Sequence, residues 1–400
     1  MTSADRWLLP DGVEEILPEQ AQQIENLRRE LLNLYSSWGY KFVIPPLVEF
    51  TDSLLTGLGR DLDLLTFKVT DQLSGRTLGI RADITPQTAR MDAHSLKLQG
   101  VNRLCYAGHV LYTKPKAPLA TRTPIVSGVE LYGEEGLGAD IEVVSLLLES
   151  LRVSGLQKAA FEIGHVGIYR AIITESKLSE AQQEELFDLL RRKAFAETKT
   201  WVNANIADKN IGEIICTLPK LDGDYLALAS AREKLHSAPK AVLAAIEELE
   251  RMAQEIAQRF PEAQIYFGLS ELHSFDYHTG LVFAAFAPNF GRALAVGGRY
   301  DHVGNVFGRS RPATGFHVDV TALNQLLTNE NIDNDTVAKP GIYAPFSEDS
   351  KQWQAVQRLR QQGEIVVNGF ENEEVFRQEI NCDRRLENIK GEYKVVDWPL

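Results

Sequence analysis

The feature that most constrains this chain is the grouping of its strand-like runs. Residues 103–111 and 125–132 are apolar runs joined only by a loop rich in Lys, Pro and Thr. Residues 263–267, 281–286, 293–296 and 315–318 form a second series. Strands that do not alternate regularly with single helices disfavour a doubly wound parallel sheet. The expected class is therefore α+β, an antiparallel sheet with flanking helices. Residues 64–69 and 77–80 read as a hairpin around 71–75, and 161–163 as a further strand.

Helices are marked by a different period. Ile24, Leu27, Leu31, Leu34, Tyr35 and Trp38 recur at three- and four-residue steps, one apolar stripe on a long helix. Gly39 stands where a C-terminal cap is expected. Residues 40–44 then read as a short strand that Pro45-Pro46 stops, because proline donates no ladder hydrogen bond. Residues 85–90 begin another helix and 140–151 form an apolar-rich one. From about 179 to 260 the pattern is helical, with Leu186, Leu189 and Leu190 on one face and Leu243, Ile246, Leu249, Met252 and Ile256 on another; this reads as a helical insertion. A helix over 320–327 closes the body at residue 327. Residues 328–337 are polar and read as a linker, and 338–400 as a small C-terminal α/β domain.

With 400 residues the chain has room for two or three domains and a sizeable core. Its net charge of −13 offers no basic footprint, so no nucleic-acid partner is expected. Cys105, Cys216 and Cys382 are scattered and form no CxxC pair; they read as apolar fillers in a reducing compartment, with no metal site. The sequence shows neither a secretory signal nor a long apolar run, so no membrane association and a cytoplasmic location are expected.

Several motifs carry chemistry. The segment Trp7-Leu8-Leu9-Pro10-Asp11-Gly12-Val13, the long helix, the strand and Pro45-Pro46 resemble the first motif of class II aminoacyl-tRNA synthetases, a dimer interface; alone they also suit an ordinary amphipathic helix and strand. Arg81-Ala82-Asp83-Ile84-Thr85-Pro86 is similar to the histidyl-tRNA synthetase stretch whose carboxylate and threonine grip the α-amino group of histidine. An ammonium needs acceptor oxygens, and a carboxylate supplies charge-assisted ones. Asp83 equally suits a helix N-cap ahead of Pro86. Ser127-Gly128-Val129-Glu130-Leu131-Tyr132-Gly133 matches the returning strand of the second motif and keeps Glu130, a second carboxylate of the histidine pocket. Val126 replaces a glutamine there.

Leu272-His273-Ser274-Phe275-Asp276-Tyr277-His278-Thr279-Gly280 resembles the histidine-specific signature Arg-Gly-Leu-Asp-Tyr-Tyr-Thr-Gly, and it is the most specific match. Asp276 and Tyr277 are kept, and His278 replaces a tyrosine. His273 and His278 also suit a solvent-exposed or core-satisfied pair. Val296-Gly297-Gly298-Arg299-Tyr300-Asp301 resembles the second histidine signature, where Tyr300 would close over an imidazole; a Gly-Gly in a strand equally suits a bulge. The resemblance thus implies a histidine pocket of Asp83, Thr85, Glu130, Asp276, Tyr277, His278 and Tyr300.

The ATP-directed positions depart from the synthetase pattern. Its second-motif arginine and glutamate should fall near Tyr112 and Thr113, and neither is present. The arginine of the histidine signature is His273, and the third-motif arginine is Ala322. Tyrosine and alanine supply no cationic fork for phosphate. Loss of one preorganised charge-stabilising group typically costs roughly 10²–10³ in rate. Three losses at one substrate argue that activation is gone and no catalytic residue remains.

Asp83-Ile84-Thr85-Pro86-Gln87 and Arg311-Pro312-Ala313-Thr314-Gly315-Phe316 resemble the regulatory subunits of bacterial ATP phosphoribosyltransferase, a family of histidyl-tRNA synthetase-like proteins. That resemblance implies a non-catalytic subunit in the first step of histidine biosynthesis. It implies a short-form catalytic subunit as partner, a hetero-octamer of four and four chains, self-association as a dimer, histidine as allosteric ligand, and no cofactor. A histidine–tRNA ligase and a free-standing histidine-binding paralogue are the alternatives; the three departures count against the first.

Overall fold

The stripe of Ile24, Leu27, Leu31 and Tyr35 lies buried along the first helix, Pro18–Ser37. The helix ends at Trp38, and Gly39 follows at φ +85°, the left-handed backbone that glycine adopts without strain. The computed structural model describes residues 7–55, 60–118, 120–156, 158–270, 278–288, 290–329, 339–371 and 380–398. The chain divides into two compact units, Met1–Ile332 and Asp333–Leu400.

In the first unit the chain enters β1 (Lys41–Phe42), β2 (Val48–Phe50), β3 (Phe67–Thr70) and β4 (Thr77–Ile80). The expected strand over 40–44 pairs only at Lys41 and Phe42, and Leu64 and Leu65 belong to a short helix, Arg60–Leu65, instead of the hairpin. The helix Thr85–Arg90 leads to β5 (Asn102–His109), β6 (Ile125–Tyr132), the helix Leu137–Val153 and β7 (Ala160–His165). After the helical stretch come β8 (Gln264–Gly268), β9 (Leu281–Phe286), β10 (Ala293–Arg299), β11 (Ala313–Asp319) and the helix Val320–Asn329.

Eight strands form one sheet in the order β1-β5-β6-β11-β10-β9-β7-β8. Only the outer pairs, β1 with β5 and β7 with β8, run parallel; the five inner pairings are antiparallel. The antiparallel core expected from the grouping of runs is present. β2, β4 and β3 make a separate small sheet.

One sheet face packs on helices. Val129 and Leu131 of β6, Phe316 and Val318 of β11, Phe283 and Ala285 of β9, and Phe161 and Ile163 of β7 join Leu27, Leu31 and Tyr35 in one core. The helical stretch adds to it through the helices Glu180–Arg191, Phe195–Asn205, Lys209–Thr217, Tyr225–Lys234 and Lys240–Arg259. Ser179 and Gln182 form a reciprocal capping box at its start. Helix begins earlier than the period suggested, at Val166–Ser176. His165 caps this helix by accepting the Gly167 amide at Nδ1, 3.1 Å.

The last helix of the unit runs to Asn329, so Thr328 and Asn329 are not linker. Residues 330–337 lie outside the described ones. The second unit contains β12 (Gly341–Ala344), the helix Ser350–Gln361, β13 (Val366–Asn368), β14 (Cys382–Ile389) and β15 (Glu392–Asp397), in the sheet order β13-β12-β14-β15. Its core is Ile342, Ala344, Ala355, Val356, Val366 and Leu386. Among the described residues no helix is long and apolar enough to cross a membrane.

Leu31 is fully buried between the first helix and the sheet. Leu31→Ala should lower unfolding free energy by about 2–5 kcal/mol, read from urea titrations. A change below about 1 kcal/mol would mean that this helix is not docked as described.

Candidate functional site

Successive residues of a strand face opposite sides of a sheet. With one side packed on helices, the other is fixed: Tyr106 and Gly108 of β5; Val126, Gly128 and Glu130 of β6; Gly315, His317 and Asp319 of β11; Val296 and Gly298 of β10; Val282 and Ala284 of β9; Glu162 and Gly164 of β7. The registers place Tyr106 beside Gly128, Glu130 beside Gly315, His317 beside Val296, and Gly298 beside Val282. Glycine is what leaves room on this face. A Cβ on Gly315 would collide with Glu130 Oε2, and one on Gly128 with the Tyr106 hydroxyl. A Cβ on Gly298 would meet the His278 ring at 2.6 Å. Pairing is regular through Gly297 and Gly298; the irregularity on this strand falls between Ala293 and Ala295, so the double glycine is not a bulge.

Three of the expected histidine-pocket residues come together. The Thr85 hydroxyl donates to Glu130 Oε1 at 2.6 Å, and the Tyr106 hydroxyl donates to the same oxygen at 3.1 Å. Glu130 is 1% exposed, and its Oε2 has no hydrogen-bond partner among the described residues. Burial pushes its carboxyl well above the usual carboxylate range; the Thr85 hydroxyl pulls the other way, and the negative charge of Asp83 acts with burial. Asp83 Oδ1 accepts the Thr85 amide at 3.1 Å, so the carboxylate does serve the local turn. Ala82 and Ile84, on either side of it, pack with Tyr106, Tyr112 and Val126, and its negative charge acts on Tyr106, Tyr112 and His317.

Tyr300 is buried among Ala89, Leu104, Tyr132, Val303 and Ala313. Its ring meets that of His278 edge-on, with centroids 6.4 Å apart. Arg299, beside Tyr300, binds Asp140 at 2.7 Å and Asp301 at 3.1 Å, and the Thr279 hydroxyl, beside His278, donates to Asp301 at 3.0 Å, which ties the two segments together. Arg170 donates to the His278 carbonyl at 2.9 Å. His273, Asp276 and Tyr277 lie outside the described residues. Arg311, which opens the Arg-Pro-Ala-Thr-Gly-Phe motif, holds Asp92 at 3.0 Å and the carbonyls of Leu98 and Gly100, so its role here is to fix the backbone before β5.

A cavity of about 470 Å³ opens over the glycine-rich face. Its polar lining includes Tyr112, Lys116, Glu162, Arg292, His317 and Asp319, and His278 stands at its wall. Tyr112 is 4% exposed, and the Lys116 ammonium sits 4.2 Å from its ring centroid. Arg292 is bound by Asp319 at 2.7 Å. Burial lowers the His317 pKa, favouring the neutral ring. Ala322 is fully buried in the helical core, its amide capped by Asp319 at 2.9 Å. At Tyr112 and Ala322, then, no cation reaches the cavity. Tyr106, Lys116, His317 and Asp319 were not singled out from sequence; strand alternation on β5 and β11 was the available signal for Tyr106, His317 and Asp319. No group of three His, Cys, Asp or Glu side chains among the described residues is arranged to hold a metal ion.

The chain is similar in sequence and fold to known proteins. Residues 12–323 match the family model for histidyl-tRNA synthetase, and residues 339–396 that for the ATP phosphoribosyltransferase subunit HisZ C-terminal domain. The ATP phosphoribosyltransferase regulatory subunit of Cellvibrio japonicus is 55% identical over 396 residues, 99% of this chain and 98% of that protein. The one from Teredinibacter turnerae is 52% identical over 96% and 97% of the two chains. Among solved structures, an ATP phosphoribosyltransferase regulatory subunit/histidyl-tRNA synthetase from Bacillus halodurans superposes with a TM-score of 0.78 at 26% identity, over 91% and 92% of the chains. A histidyl-tRNA synthetase from a Nostoc species gives 0.76 at 17% identity over 98% and 97%, a likeness of fold. The synthetase-like α+β architecture expected from the motifs is the observed one.

Two outcomes follow from the Glu130 environment. Above roughly pH 4.3 the unfolded chain sheds this proton while the folded chain retains it, so the native state binds more protons and loses stability as pH rises. Glu130→Gln should flatten that fall, so the urea midpoint of the variant should gain on the parent with increasing pH; parallel pH profiles would rule out a protonated Glu130. Gly315→Ala, which drives a methyl into Glu130 and the Val129 carbonyl, should cost about 1–3 kcal/mol in the same titrations.

Proposed function

Since the chain belongs to the family of ATP phosphoribosyltransferase regulatory subunits, we propose that it binds the short-form catalytic subunit of that enzyme, modulates its rate and makes it sensitive to histidine. The assembly proposed is a hetero-octamer of four chains of each kind, with this chain self-associating as a dimer. Histidine would occupy the pocket of Asp83, Thr85, Glu130, Asp276, Tyr277, His278 and Tyr300.

The observation that carries this reading is the pairing of a kept cluster with a dismantled one. Thr85, Tyr106 and Glu130 remain joined by hydrogen bonds on the side of the sheet away from the helical core. The phosphate-directed positions there are a neutral Tyr112 and a buried Ala322. A pocket that holds an amino acid but lacks the cations for adenylate formation suits a sensor. Histidine controls the partner only through unequal affinity for two quaternary states. Coupling of about 1–3 kcal/mol would give about 5–150-fold control.

The test mixes the purified chain with the short catalytic subunit of the same organism and follows phosphoribosyl-ATP formation. The rate should change on mixing, and histidine should inhibit only the mixture. No complex and no change in rate would sink the proposal. Asp83→Ala should raise the histidine concentration for half-inhibition about tenfold or more, with assembly unchanged by sedimentation. Unaltered inhibition in that variant would remove Asp83 from the sensor. Histidine-dependent ATP–pyrophosphate exchange by the chain alone should be absent.

A further inference from the structure

An α-amino acid is a zwitterion, and a site that holds one needs acceptors for its ammonium and a donor, best a cation, for its carboxylate. Asp83, Thr85 and Glu130 supply the acceptor pole. The opposite pole is not supplied at Tyr112 or Ala322, neither of which carries charge. Resting on the histidine reading above, we propose that Lys116 is the cation that receives the carboxylate of the bound amino acid and so makes the cavity selective for amino acids over the corresponding amines.

Three observations lead there. Lys116 lines the cavity from the loop between β5 and β6, exposed at its mouth, with its ammonium laid on the Tyr112 ring at 4.2 Å. That contact holds a flexible side chain at the cavity wall, where its ammonium also acts on the Tyr112 hydroxyl; of its three protons, others remain for a ligand. Lys116 meets no carboxylate within ion-pair distance among the described residues, whereas Arg292, another cation of the lining, is engaged by Asp319 at 2.7 Å. Burial lowers the His317 pKa and so favours its uncharged ring. Finally, Ala82 and Ile84, on either side of Asp83, pack in one cluster with Tyr112, the ring on which Lys116 lies, so the acceptor segment and Lys116 approach the same side chain. The cavity of about 470 Å³ that Lys116 lines has room for a molecule the size of histidine.

Titration calorimetry on the full chain, alone and with the catalytic subunit, tests this with L-histidine and with histamine, which lacks the carboxylate. Lys116→Gln should weaken histidine by about 5- to 50-fold and leave histamine within about twofold. Lys116→Arg, which keeps the charge, should hold histidine within about threefold of the parent. Parental histidine affinity in Lys116→Gln, or an equal loss of histidine and histamine, would overturn the assignment while leaving the histidine reading standing. A parent chain that binds no histidine in either setting would overturn both.

Discussion

The candidate site depends on the two-residue period of one antiparallel sheet. Once Val129, Leu131, Phe316 and Val318 are committed to the helical side, their neighbours Gly128, Glu130, Gly315 and His317 have no choice but to face the other way. Register then does the rest. Glu130 lies opposite Gly315 and Tyr106 opposite Gly128, so each large polar side chain rests over a residue with no side chain. A slip of one residue would bury Glu130 among Leu27, Leu31 and Tyr35 and empty the face of its polar groups. Fold stability and site geometry are therefore the same constraint seen from two sides of the sheet.

The distribution of buried cations follows from that arrangement. Arg81 is buried and donates to the carbonyls of Pro45 and His109; burial lowers its pKa. Arg299 is held by Asp140 and Asp301, and Arg311 by Asp92. Each fixes backbone or joins segments, and none lines the cavity. The cavity itself carries Glu162, an arginine already engaged by Asp319, and an exposed lysine, Lys116. Such an environment suits recognition of a small polar molecule. Stabilising the charge that builds on a transferring phosphate calls for preorganised cations inside a site, and the positions that would supply them hold Tyr112 and Ala322.

Much of this was legible in the sequence. A stripe at three- and four-residue steps made the first helix, because one face had to find the core and the other water. Apolar runs without intervening helices made an antiparallel sheet, and the motifs around Asp83, Glu130 and Gly298 marked residues that the fold brings to one face. Legibility failed where the local pattern and the tertiary role diverge. β14 contains Asp383, Arg384, Arg385 and Glu387 and gave no apolar strand signal; it is a strand because β12 and β15 supply ladder partners on both sides. The segment 166–176 lies ahead of the helical period, yet His165 caps it as a helix that packs against the long helix Lys240–Arg259.

What the sequence by itself determined is which chemistry was available: carboxylates and a threonine at Asp83, Thr85 and Glu130, and no arginine at 112 or 322. These are properties of side chains and need no fold. Only the tertiary structure decided how that chemistry is set. Burial without a cation raised the Glu130 carboxyl, register aligned Tyr106 with Gly128 beside it, and a return loop laid Lys116 on Tyr112. Desolvation, register and long-range charge are relations between segments far apart in the chain, and a local reading of residues has no access to them.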